Sequence, residues 1–125
     1  MVARVQNNGL ARITAALIAL SWWSQWGTGS GAGASANAVT TTGTTEARTA
    51  MTMTQQTTSV ANDTMQAVGT TTAAGNRAIT EVGLFDAVGA GSPPVGGNMD
   101  VYGDFSVINL ANGDSITFTI KVQFS

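Results

Sequence analysis

Residues 115–124 read SITFTIKVQF, with Ile116, Phe118, Ile120, Val122 and Phe124 on every second position and Thr117, Thr119, Lys121 and Gln123 between them. Successive side chains of a strand point to opposite faces, so this run is a strand with one dry and one wet face. Burying five such side chains is worth roughly 1.5 to 3 kcal/mol each, a gross gain comparable to the net stability of a whole domain. The chain is therefore expected to be a β-sheet protein with this strand in its core. Asn112-Gly113-Asp114 just upstream is a turn signal, because Asn and Gly accept the positive φ of tight hairpins. That turn predicts residues 105–110 as the hairpin partner.

The remaining strands are legible in the same way. In residues 78–87, AITEVGLFDA, Ile79, Glu81, Gly83 and Phe85 share one face and Ala78, Thr80, Val82 and Leu84 the other. Both faces are expected to be at least half buried, with Glu81 paired to an arginine or a backbone amide rather than catalytic. Residues 46–72 are rich in Thr and β-branched side chains and read as two strands around a turn at 59–63. Met51, Met53 and Met65 fall at strand spacing and read as core filler. Asn62-Asp63-Thr64 has the N-glycosylation pattern but reads as an ordinary turn. A further turn is expected at 73–77, and the glycine-rich loop at 88–97, containing Pro93 and Pro94, is expected to be an exposed tip. Six or so short strands joined by Gly, Asn and Asp turns predict an all-β fold, an antiparallel sandwich or flattened barrel.

Composition removes several function classes. At 125 residues the chain is long enough for one domain with its own core. It has no Cys, which removes disulfides, thiolate catalysis and most zinc sites. It has no His, the commonest general base and metal ligand. Five scattered basic residues and a net charge of -2 leave no electrostatic footprint for nucleic acid. Only 10% of residues are charged while 43% are hydrophobic, which suits a surface largely covered by neighbours.

The N-terminus imitates a secretory signal: Arg4 and Arg12, an apolar run at 13–20, then Ala34-Ser35-Ala36. It is expected to be retained, and the run is too short and too soon interrupted by Ser21, Ser24 and Gln25 to span a bilayer. A short helix capped by Asn7 or Asn8 accounts for it better. Leu10, Ile13, Leu17 and Leu20 recur at helical spacing among helix-favouring alanines. That face packs either on the chain's own sheet or on a neighbouring subunit. Trp22, Trp23 and Trp26 follow, with Trp22 and Trp26 on one face of an extended segment and Trp23 on the other, serving either the core or an interface. These seven residues are the candidate assembly interface.

Residues 27–45, GTGSGAGASANAVTTTGTT, lack the Lys-Ser/Thr of a phosphate-binding loop and the strand, helix and acidic residue of a dinucleotide site. The composition is that of a connector or extended arm. The expected organisation is thus an N-terminal helix, Trp cluster and Gly/Thr-rich arm over 1–45, followed by an antiparallel β-domain over 46–125.

Four segments carry a resemblance. TEVGLF at 80–85, VYGDFSVI at 101–108 and GDSITFT at 113–119 resemble strands of small structural proteins of tailed bacteriophages, and WGTGSGAGASANA at 26–38 resembles a segment of the same group. The resemblance implies a virion protein assembled in the host cytoplasm, with self-association as a homotrimer; from composition and hydropathy no metal, nucleic acid or membrane partner is expected, and no cofactor. A capsid cement or decoration protein would bind the major capsid protein and clamp neighbouring capsomers on the outside of the head. The alternative is a tail component, such as a fibre-base, adaptor or baseplate module. An enzyme using Asp86, Asp100 or Asp104 is not expected, because those acids fall at strand ends and turns rather than in one cleft. If the arm clamps neighbours, removing residues 1–38 is expected to leave a folded β-domain that no longer binds particles.

Overall fold

The computed structural model describes residues 1–39 and 44–125; the part of the expected arm at 40–43 lies outside the described residues. One helix, α1 (Asn7–Ile18), precedes seven strands: β1 (Trp23–Gly27), β2 (Thr49–Ala50), β3 (Thr52–Gln56), β4 (Thr64–Thr72), β5 (Arg77–Phe85), β6 (Met99–Leu110) and β7 (Ser115–Gln123). They form two antiparallel sheets, β2-β1-β5-β6 and β3-β4-β7, which pack as a β-sandwich.

The helix starts one residue earlier than an asparagine cap requires. Gln6 occupies the cap position in extended conformation and makes no side-chain capping bond, so neither Asn7 nor Asn8 caps α1. Leu10 and Thr14 are its buried residues, and the helix packs on β3 and β4 of its own chain. The Thr14 hydroxyl reaches the Asn62 carbonyl at 2.6 Å, and the Gln55 amide donates to the Ala11 carbonyl and the Thr14 oxygen. Polar contacts therefore fix the helix together with its buried Leu10.

β1 lies inside the four-stranded sheet, paired on one side with β2 and on the other, along its whole length, with β5. Trp22 and Trp26 point into the sandwich and organise two halves of the core. Trp22 packs with Met65, Ala67 and Leu84, and Trp26 with Ala73 and Ile79. Residues 1–27 therefore supply a strand and both central aromatics of the sandwich. This corrects the expected effect of removing residues 1–38, because the remainder lacks an interior strand.

Three crossings carry the chain between sheets. β2 passes into β3 at Met51, whose amide donates to the Trp22 carbonyl, so the uninterrupted alternation over residues 47–54 hides a change of sheet. β4 passes to β5 through residues 73–76, and β6 to β7 through residues 111–114. The last of these corrects the hairpin expected from Asn112-Gly113: β6 pairs with β5 and β7 with β4, so the turn joins opposite sheets. Gly113 does adopt φ 90°, and its amide and the Asp114 carbonyl bond to Ala73, tying the two crossings together.

Two further expectations change. A register shift between Ile79 and Glu81 puts Ile79 in the core beside Trp26 while Leu84 packs with Trp22, so β5 does not keep one odd-numbered face throughout. The final strand borders the core instead of crossing its centre. Ile116, Phe118, Ile120, Val122 and Phe124 are all half-buried, because β7 is an edge strand.

Candidate functional site

The two flanks of the sandwich differ. On one, sheet edge β2 runs into sheet edge β3 through a single residue, and Thr49 and Thr71 hydroxyls bridge the sheets at 2.6 Å. On the other, β6 and β7 run beside each other, 12 and nine residues long, and are joined only at the 111–114 end. Phe105 and Phe118 meet across this gap with ring centroids 5.9 Å apart. Beside them opens a cleft of about 350 Å³ bordered by Val82, Val101, Phe105, Phe118, Ile120 and Lys121. Its walls are mainly half-buried apolar side chains of the two strands, with Val82 of β5 and the polar Tyr102, Thr119 and Lys121 among them, which makes the open flank the candidate interaction surface.

The seven residues singled out by sequence lie elsewhere. Leu10, Trp22 and Trp26 are buried in this chain's own core, and Ile13, Leu17 and Trp23 are half-buried. Leu20 alone is well exposed, at 58%. The indole nitrogens are also used internally, Trp22 donating to the Leu17 carbonyl at 2.8 Å and Trp26 to Glu46 Oε2 at 3.3 Å. The structure does not bring the seven together as one surface.

Each ionisable cluster in the fold clamps a loop. Glu81, fully buried, accepts from the Gly29 amide and from the Tyr102 hydroxyl, at 3.1 and 2.8 Å. Thr80 donates to the Gly29 carbonyl and Asp104 accepts from the Gly31 amide. The glycine-rich segment is thus strapped to β5 and β6 where a free arm was expected. Burial, then the bond to Glu81, pushes the Tyr102 phenol above its ordinary pKa.

Arg48 does the same for the 88–97 loop. Its guanidinium stacks 3.7 Å from the Phe85 ring centroid, donates to the Ala87 and Gly96 carbonyls, and meets Gln25, whose amide donates to the Pro94 carbonyl. Burial lowers the Arg48 pKa, opposed by the charge of Asp86. The loop is exposed as expected, yet Pro94 is buried. Asp63 closes the β3–β4 turn: burial alone would raise its pKa, but the Thr58, Ser59 and Val60 amides and the Thr64 hydroxyl outweigh burial and hold it well below the carboxylate range. For Glu46 burial is likewise outweighed, by the Ala74 amide, Arg77 and Trp26, and its pKa is lowered.

The acids considered for catalysis are not assembled into a cleft. Asp86 is bonded to the backbone and side-chain amides of Asn98, which lower its pKa, and Asp104 is engaged by Gly31. Burial, and then the charge of Asp86, raises the pKa of Asp100. Among the described residues no three His, Cys, Asp or Glu side chains converge where a metal ion could sit, and no helix is long and apolar enough to cross a membrane. Sequence reasoning missed the open flank. Its signal was present in the two long alternating runs, but their being edges depends on pairing partners far along the chain.

Comparison with protein-family models, with curated proteins and with solved structures gives no match to this chain.

Proposed function

We propose that the chain is a structural subunit of a virion, a cement or decoration protein that sits on the outside of a phage head and clamps neighbouring capsomers through the major capsid protein. The observation that carries the reading is the open flank: two long strands end both sheets on one side, and their apolar rows stay half-exposed around a shallow cleft. Such an edge is a template for a protein partner. The ionisable groups support the same reading, since Glu46, Arg48, Asp63 and Glu81 are used to hold loops in place. The segments at 80–85, 101–108 and 113–119 resemble strands of phage structural proteins.

Quantitative mass spectrometry of purified virions tests the proposal. Hundreds of copies of the 12.7 kDa chain per particle are expected. A handful of copies would replace cement with a tail component, and absence from particles would overturn the virion reading itself.

A further inference from the structure

The β7 edge has a property independent of any virion: it is complementary to itself. Its register with β4 runs from Thr64 opposite Gln123 to Thr72 opposite Ser115 without a shift. Just beyond the two ends of this ladder, the Phe124 amide bonds to the Asp63 carbonyl and the Ala73 amide to the Asp114 carbonyl. Even-numbered residues therefore turn their backbone groups to β4, because hydrogen-bonding direction alternates along an antiparallel strand. The N–H and C=O groups of Ser115, Thr117, Thr119, Lys121 and Gln123 point away from the sheet.

The other edges are not equivalent. β2 has two residues and β3 five, with Gln55 of β3 bonded to the helix. β6 is long, but its register with β5 shifts twice, between Ile79 and Glu81 and between Leu84 and Phe85. Such bulges blunt an edge against pairing. Only β7 is both long and unbroken among the described residues.

We propose that a second copy of this chain pairs with β7 antiparallel about a two-fold axis at Thr119, joining two three-stranded sheets into one of six strands. Thr119 then faces Thr119 of the other copy, Thr117 faces Lys121, and Ser115 faces Gln123, all with outward-turned backbone groups and together making roughly ten hydrogen bonds. On the inner face Phe118 meets Ile120 and Ile116 meets Val122, so half-exposed apolar side chains cover one another. The charge pattern fits as well. Lys121 is the strand's only charge and lands opposite a threonine, so no like charges oppose each other. In such an isologous pairing residue i of one copy meets residue j of the other and j meets i, so each favourable contact along this edge occurs twice.

Sedimentation equilibrium of the full chain is expected to give twice the 12.7 kDa of one copy. Thr119→Pro removes an amide that faces the neighbour and leaves the β4 ladder intact, so it is expected to give a folded monomer by circular dichroism. A second measurement, which does not depend on how that variant folds, uses the absence of cysteine. Directly opposed residues of a hydrogen-bonded pair have Cα atoms about 5.5 Å apart, within disulfide range. Thr119→Cys is therefore expected to cross-link to a dimer on mild oxidation, while Thr117→Cys, set about 14 Å from its counterpart, is expected to stay uncross-linked. A monomeric or three-fold wild-type protein, or equal cross-linking of the two variants, would overturn the proposal.

Discussion

The closed and open flanks of this sandwich are built from similar material and behave differently. At the closed flank the covalent chain passes from sheet to sheet at Met51, and the edges it joins are two and five residues long. At the open flank the edges are 12 and nine residues long, and the chain crosses only at one end. The difference lies in where the crossing falls relative to the strands. A crossing within a run of alternating residues shortens both edges, whereas a crossing at the tips of two complete strands leaves both exposed. Long edges with half-buried apolar rows are templates for pairing with another chain unless something blunts or covers them.

The strongest way to break this comparison is to remove what both flanks depend on. Deleting residues 1–27 takes away β1, which separates β2 from β5, together with both core tryptophans. The expected outcome is loss of the cooperative thermal transition. A truncated chain that melts cooperatively would show that the flanks hold together without their interior strand.

Next in size is a pair of truncations. Leu84 is fully buried between the sheets, and Leu84→Ala is expected to cost about 2–5 kcal/mol in urea unfolding. Ile120 is half-buried on the open flank, and in dilute protein Ile120→Ala is expected to cost about 1–2 kcal/mol. Equal costs would mean that the open flank is packed as tightly as the core.

Acid sharpens the comparison through loops rather than strands. Asp63, Glu46 and Asp86 are held below their ordinary pKa values, so each contributes stability that is present above its unfolded value near 4 and is lost as pH falls through the folded value. Asp100 is shifted upward and works in the opposite direction, its protonation favouring the folded state. The melting temperature is expected to be flat from about pH 8 to 5 and to fall on further acidification, with a smaller fall in Asp63→Asn. An unchanged acid limb in that variant would remove Asp63 from the account.

The smallest effect is expected at the wet face of β7. Lys121→Gln exchanges an exposed side chain and should move the stability of the isolated fold by no more than about 0.5 kcal/mol. A larger loss in dilute protein would mean that this face is already covered within one chain.

Strands were legible because alternation is local: β7 and much of β5 follow directly from it. Their assignment to sheets was not. Asn112-Gly113 supplies the same positive-φ chemistry to a hairpin as to a crossing between sheets, and the decision rests on Ala73, some 40 residues away, which bonds to Gly113 and Asp114. The alternation through Met51 likewise carries no mark of the sheet change, which is imposed by the Trp22 carbonyl. For the tryptophans, side-chain type fixed that they would be buried but left open whether in this chain or against a neighbour. Glu81 was readable as a carboxylate paired with an arginine or a backbone amide, but not that the partner would be the Gly29 amide, because a glycine-rich segment has no periodicity from which a docking position follows.

The placement of β1 also bears on how the protein is made. Its neighbours β2 and β5 lie downstream, and the β5 register runs from Glu81 opposite Gly27 to Phe85 opposite Trp23. At synthesis rates of about 5–20 residues per second, the tryptophan strand waits several seconds for that partner. Pairings so distant along the chain also slow the search for the native topology. During that interval Trp22 and Trp26 are without their core, so the apolar surface that they bury in the finished sandwich stays exposed on the nascent chain.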